Sequence, residues 1–436
     1  MLLSKNNNFR VIYYLFVLQL FVSNTVNSST IHVPENCSSI QEAIDSAINT
    51  TIILIAPGKY IENINIQNKD IVLASQSKDP FETIIDGNLK DSVVSISNDL
   101  QYTVTISGIS VTNGNSRGPG GGGIYCSKGK VIIDNVIISK NYASSGGGVY
   151  IDGDSELTIS NSIINNNFAY CDGGGAYFST DLIRMNNVMI SYNQASLEHN
   201  YGRGGGVCFW NCKDGNFENC IVSYNIGIMG GGIFTHFSDI TLVNFTIADN
   251  MISSENASGG GGLHIIMNSN LIIINSIIWN NIRSEIALHG YYSSQKNTLN
   301  ISSSNVQKGK NGIEYEDNDI VKWDDNNINA FPFFADCTKN DYYLLALSPC
   351  IDSGVIYDSN IKFIGMAPDM GAYEYASAII GDSNNDGILT LIDLILLIKL
   401  STGENVEGLN YLYSDINGDN SLDTRDIIAL IKKISL

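Results

Sequence analysis

Positive charge is scarce in this chain: 24 Lys and Arg stand against 44 Asp and Glu in 436 residues, a formal net charge of −20. Phosphate backbones and anionic membrane surfaces are bound by basic faces, so neither is expected as a partner. Long apolar runs are lacking as well. Val11 to Val22 is a 12-residue, almost wholly apolar run, and no later segment reaches the roughly 18 residues of a membrane-spanning helix. That run follows Lys5 and Arg10 and is followed by small polar residues through Ser28 and Ser29. This is the layout of a secretory signal peptide, expected over residues 1–28, leaving a mature protein with no transmembrane span. Metal-site cysteine spacing is missing too. Cys208, Cys212 and Cys220 read as buried small hydrophobes, and Cys337 with Cys350 is the best candidate for a bridge. Asn36, Asn49, Asn244, Asn256 and Asn300 match the glycosylation sequon, as an Asn-rich chain does by chance.

Helical periodicity is absent between about residues 100 and 305, where a repeat takes its place. Six Gly runs each precede an apolar residue, at Gly123, Gly148, Gly175, Gly206, Gly232 and Gly262. Their near-regular interval lies within the range that marks repeat architectures. Behind each run an alternating stretch ends in Asn: Asn135, Asn161, Asn187, Asn219, Asn244 and Asn275. Two residues before these lie Ile133, Ile159, Met185, Phe217, Leu242 and Ile273. Four before lie Val131, Leu157, Ile183, Gly215, Ile240 and Leu271, so only Gly215 interrupts an inward column of period two. Short strands repeating at this interval make a solenoid, because no coil buries its own apolar face. Asn at a fixed corner can bond its own turn and the Asn of the next coil. Upstream, Ser39 to Ile48 reads as an amphipathic helix able to cap the first coil.

The Gly-Gly-Gly-Ile-Tyr type runs with downstream Ser-x-Asn resemble the repeats of polymorphic surface proteins and adhesins. The whole pattern resembles a right-handed parallel β-helix of the pectin-lyase-like class, expected over residues 30–375. The cap and first strand also resemble pectin methylesterases, whose catalytic Gln, Asp and Arg motifs are not found downstream. Ser348-Pro-Cys350-Ile-Asp352 and Pro368-Asp369-Met-Gly-Ala-Tyr-Glu-Tyr375 resemble the closing segment of secreted β-helix proteins, expected over about 330–375 as a seal for the far end.

The tail carries one oxygen-rich pattern twice. Asp382, Asn384, Asp386, Thr390 and Asp393 occupy positions 1, 3, 5, 9 and 12 of the first copy, and Asp415, Asn417, Asp419, Asp423 and Asp426 those of the second. Ca²⁺ needs six or seven converging oxygens, a sharp turn at position 6 and a closing carboxylate. Gly387 and Asn420 suit the turn, and Ile388 and Ser421 offer backbone carbonyls at position 7. An apolar segment follows each loop, Leu394 to Leu400 and Ile427 to Ile434, and no entering helix precedes the first. Loop, helix, linker, loop, helix resembles the dockerin module of bacterial cellulosomes, expected over 381–436 behind a linker at 376–380. The resemblance implies two Ca²⁺ ions and a cohesin domain as partner, on a scaffoldin or cell-surface protein. It places recognition at positions 10 and 11: Leu391 and Ile392 in one copy, Thr424 and Arg425 in the other. That asymmetry puts most of the docking surface on the first copy.

The expected architecture is therefore an all-β, right-handed parallel β-helix solenoid with an N-terminal capping helix, followed by a small all-α calcium-binding dockerin-like domain. Its expected employment is as a secreted, extracellular member of a cohesin–dockerin complex, its solenoid binding or degrading plant-wall polysaccharide, pectic by family association. The alternative is a non-catalytic adhesin or structural solenoid attached by the same module. Neither the carboxylate and base set of a lyase nor the facing carboxylates of an O-glycosyl hydrolase is legible, so catalysis is left open. Arg117, Arg203, Asp172, Glu198, His199 and Asp214 could border a cleft, though each reads first as a solvated turn residue. Tyr125, Tyr150, Tyr177, Cys208, Phe234 and His264 fall one residue past the apolar position of each Gly run. Strand spacing of about 4.8 Å makes them an outward strip, read either as a glycan-binding face or as an aromatic ladder under long loops.

Overall fold

The computed structural model describes residues 29–434 except 49, 119, 197–201, 254–258, 290–295, 359–362, 376–380, 384–388, 403, 405–413, 415 and 418–420. The expected signal peptide and linker lie outside the described residues. The rest is a parallel solenoid of about 11 turns, followed by a small helical tail. Successive coils pair strand on strand in register: Val131 opposite Leu157, Leu157 opposite Ile183, Ile183 opposite Gly215, Gly215 opposite Ile240, Ile240 opposite Leu271. The side chains of this column, and Ile133, Ile159, Phe217, Leu242 and Ile273 two residues on, are buried in one continuous core. Gly215 has a reason to interrupt the column. A Cβ there would lie 2.7 Å from Ile240 and 2.8 Å from the Phe217 ring, so the large Phe217 fills the space of both.

The Gly runs mark where coils meet backbone to backbone. A Cβ on Gly147 would stand 2.4 Å from the carbonyl of Gly174, and one on Gly174 2.4 Å from that of Gly205. No residue larger than Gly fits this face without spreading the coils.

The first end is covered by α1 (Ile40–Ser46), whose buried Ile40, Ala43 and Ile44 join the core. Ser39 caps it by accepting from the Glu42 amide, and Glu62 accepts from the amides of Ile40 and Gln41 at the positive helix end.

The corner asparagines sit at φ of +49° to +56°, a backbone that Asn tolerates better than most residues. Their ladder is incomplete: Asn187 donates to Asn161 and Asn244 to Asn219. The unbroken ladder runs six residues later in every coil, through Asn141, Asn167, Asn193, Asn225, Asn250 and Asn281. Each Nδ2 donates to the next Oδ1 at 3.0 Å, and the last donates to Glu285 at 2.6 Å. The second Nδ2 hydrogen goes to a backbone carbonyl, as from Asn193 to Ile164. All six are buried.

The closing segment differs from expectation in position. It lies along the flank of the coils: Tyr342 donates to Asp249, Tyr224 to the Cys337 carbonyl, the Ala372 amide to Thr246, and Asn275 exchanges two bonds with Val355. An outward apolar row, including Ile221, Ala248 and Ile277, is what draws it there, and the segment buries that row. Cys337 and Cys350 pack in different clusters of that flank, and both are free thiols.

The tail holds α2 (Leu391–Ser401) and α3 (Thr424–Ile434), packed on each other. Both start earlier than the apolar segments suggest, because a loop carboxylate closes a first turn: Asp393 accepts from the Thr390 amide and Asp426 from the Asp423 amide.

Candidate functional site

The strands that follow the Gly runs put Tyr125, Tyr150, Tyr177, Cys208, Phe234 and His264 in one column, each opposite the next. The column is not one surface. Tyr125, Tyr150 and Tyr177 are half-buried, whereas Cys208, Phe234 and His264 are fully enclosed. Phe234 packs with Cys208 and Ile266, and the Arg203 guanidinium lies over it at 5.6 Å. The glycan face expected at Phe234 and His264 is therefore not open, because neighbouring side chains fill it.

The open part is a stack. Tyr150 and Tyr177 have centroids 4.9 Å apart and planes within 8°, and Tyr125 and Tyr150 are 5.7 Å apart at 30°. Two phenol rings cannot lie side by side in one plane at such separations, so they meet face to face and cover each other's faces. Along its length the stack offers edges and hydroxyls, while sugars pack against ring faces. Burial, aided by Asp152, pushes the Tyr150 hydroxyl well above its ordinary range, and burial does the same to Tyr177. Both are neutral donors at physiological pH.

One face stays free. The residue opposite Tyr125 on the preceding coil is Ser95, too small to cover it. Beside that face opens a cavity of about 350 Å³ lined by Lys90, Asp91, Ser92, Ser95, Ser116, Arg117, Gly118, Gly120 and Tyr125. This is the small end of the roughly 300–1,000 Å³ typical of ligand pockets. Tyr125 and Arg117 were marked by the repeat register. Lys90 and the serines were not, because they lie on the coil before the first Gly run or in the turn that leads into it.

Farther along, Arg203 clamps Asp172 through Nε at 2.8 Å and Nη2 at 2.6 Å, and stacks over Trp210 at 4.8 Å. His236 takes Trp210's ring at 3.6 Å, and burial with the Arg203 charge pulls its pKa down to about 4. His264 meets His289 at 3.1 Å, its pKa drawn down to about 3 by burial. Both imidazoles are neutral, and Asp172 and Arg203 are an ion pair rather than solvated turn residues. Asp214 is exposed, and Glu198 and His199 lie outside the described residues.

In the tail the closing carboxylates of the two copies make equivalent bonds among the described residues. Asp393 Oδ1 accepts from the Ser383 amide as Asp426 Oδ1 does from Ile416, the equivalent position of the second copy. Asp382, Asp393 and Asp426 are fully buried. Thr390 in the first loop and Asn417, Ser421 and Asp423 in the second add oxygens, the donor type a hard cation such as Ca²⁺ takes, while among the described residues no three acidic, His or Cys side chains converge on one metal position. Asn384, Asp386, Ile388, Asp415 and Asp419 lie outside the described residues. Leu391, Ile392, Ile395 and Ile398 are exposed on α2; on α3 only Ile428 and Ile431 are exposed apolar residues, and Arg425 is folded onto Asp423 at 2.6 Å.

Residues 122–250 match the family described as right handed beta helix region, and residues 380–435 match the dockerin type I domain. The C-terminal module thus matches the type I dockerins, modules that bind calcium and whose partners are cohesins. No curated protein matches the chain. Among solved structures, pectate lyase Pel9A is similar at 17% identity over 80% of this chain and 97% of that one, with a TM-score of 0.48. The pectin methylesterase from Aspergillus niger is similar at 13%, over 62% and 88%, with a TM-score of 0.29. The catalytic domain of a GH87 alpha-1,3-glucanase is similar at 14%, over 70% of each, with a TM-score of 0.32. No described helix is long and apolar enough to cross a membrane.

Proposed function

We propose that this protein is a secreted component of a cohesin–dockerin complex whose solenoid binds plant-wall polysaccharide at the free face of Tyr125. The dockerin match carries the membership of such a complex, and the uncovered ring above a polar cavity supports the sugar site. An aromatic face with hydroxyls and charges around it suits a carbohydrate subsite, since the ring takes the apolar face of the sugar and the polar rim its hydroxyls. The dockerin holds two Ca²⁺ ions in this reading, one per loop, through the oxygen-bearing positions from Asp382 to Asp393 and from Asp415 to Asp426 named above.

Binding of the full chain to immobilised plant-wall polysaccharides, compared with Tyr125→Ala, tests the site. The expected result is a loss of up to about tenfold, since one aromatic contact is worth about 0.5–1.5 kcal/mol; undiminished binding by Tyr125→Ala removes the assignment. A second reading is a non-catalytic adhesin or structural solenoid, favoured by the mutual covering of the stacked rings. The polysaccharide binding assay separates the two, since a purely structural solenoid retains no sugar. Incubation with a pectin panel then tells degradation from binding alone: new unsaturated ends identify a polysaccharide lyase and new reducing ends an O-glycosyl hydrolase, while neither product, with binding retained, leaves a non-catalytic binder.

A further inference from the structure

We infer that the cavity beside Tyr125 takes a single anionic sugar residue, its acid group held by Lys90 and Arg117 and its ring laid on the free face of Tyr125; this rests on the polysaccharide reading above. Several bases of this acidic chain are taken up by neighbouring acids. Lys59 is paired with Asp86 at 2.7 Å, Lys128 with Asp99 at 2.7 Å, Lys130 with Glu156 at 3.0 Å and Arg203 with Asp172 at 2.6 Å. Lys90 and Arg117 make no ion pair among the described residues, and both line the same cavity. They come from consecutive coils, Lys90 ahead of the strand Val94–Ser97 and Arg117 ahead of the strand that carries Tyr125. The repeat brings them together although a full coil of sequence separates them. One acid shares the lining, Asp91, whose Oδ1 is engaged by the Ser92 amide at 2.8 Å. The cavity therefore has a net positive rim.

Arg presents a planar fork that matches a carboxylate or sulfate, and Lys adds a point charge. Ser92, Ser95 and Ser116 supply hydroxyls that both donate and accept, as sugar hydroxyls require. The stack also fixes direction. Its rings pile up along the solenoid axis, so the free face of Tyr125 looks along that axis toward the first coils. A sugar lying on it sends its neighbours across the coils, not along the ladder. One residue is gripped, and lengthening the oligosaccharide adds little.

Titration calorimetry with the full chain in calcium buffer tests this, using trigalacturonate, its methyl ester, a sulfated disaccharide and cellotriose as probes. Trigalacturonate or the sulfated sugar should bind at least tenfold tighter than the neutral probes; which of the two binds tells carboxylate from sulfate. Lys90→Gln and Arg117→Gln should each weaken it about tenfold, the range of one charge-assisted hydrogen bond. Ser95→Tyr should add a fourth ring to the stack and abolish binding without lowering the melting temperature. A hexamer should bind no more than about threefold tighter than the trimer. Affinity for both trigalacturonate and the sulfated disaccharide no greater than for the ester and cellotriose, or unchanged affinity in both Gln variants, overturns the anionic site. If cellotriose binds and Tyr125→Ala removes it, the polysaccharide reading survives and the acidic preference alone fails. If no probe binds, both fall.

Discussion

Two asparagines in each coil, six residues apart, do different jobs. The corner residue, such as Asn187, is there for its backbone, held at φ +56°. The inner residue, such as Asn193, is there for its amide, which donates twice and accepts twice within the core. Asn187→Ala should cost about 1 kcal/mol, the penalty of a left-handed alanine. Asn193→Ala should cost about 3 kcal/mol, since it strands Asn167 Nδ2 and the Ile164 carbonyl in the interior, and thermal melting of the two variants should rank them so. The outer register was legible because Asn recurs there after a clear alternation. The inner one follows a second left-handed corner occupied by Lys140, Asn166, Tyr192, Tyr224, Asp249 and Asn280, and so varied a corner hides the residue behind it. Glu285, which closes the ladder, has its pKa pushed up to about 7 by burial, against the Asn281 bonds that favour its charge. A carboxyl raised in the folded state contributes stability below its unfolded value near 4.5 and loses it as pH rises toward 7. Glu285→Gln should therefore match the wild type in stability near pH 4 and exceed it by about 3 kcal/mol at pH 8; a constant difference across that range would contradict the assignment.

Among the elements, α2 and α3 are the pair on which sequence and structure agree best, because a duplicated loop is a local signal and needs no distant partner. Their exposed faces share Ile395 with Ile428 and Ile398 with Ile431, at equivalent positions of the two copies. They differ at the first turn, where α2 adds Leu391 and Ile392 and α3 has Thr424 and an Arg425 occupied with Asp423. Cohesin capture should fall by tenfold or more for Leu391→Ala with Ile392→Ala, at about 1–2 kcal/mol per buried aliphatic side chain, and by less than threefold for Thr424→Ala with Arg425→Ala. Equal losses would mean that both faces dock. The closing segment was legible as an element and not as a position, since nothing local to residues 330–375 says that its partners are Tyr224, Thr246 and Asp249 on the flank.

At the scale of the molecule, two kinds of stability are joined in one chain. The solenoid is held by stacked aliphatic side chains, Gly-lined backbone contact and the amide ladder, with no calcium in that account. The dockerin buries Asp382, Asp393 and Asp426 within its matched span of 380–435, and burying carboxylates is costly without a counter-charge. Excess chelator should therefore abolish cohesin capture and the melting transition of the tail while leaving the main transition where it was; Asp382→Ala with Asp415→Ala should do the same in calcium. A main transition that moved with the tail would mean that the ions also hold the solenoid.

The amide ladder also gives the solenoid an arrow. Every inner carboxamide points the N–H that continues the ladder toward the C-terminal coils, so each interior coil offers a ladder acceptor on one side and a ladder donor on the other, and a duplicated coil inserted between Asn141 and Asn281 would find its ladder bonds ready-made. Beyond Glu285 the same duplication would meet a carboxylate with nothing to donate once it is ionised. Length in this architecture can change from the middle, and its far limit is set by a single side chain.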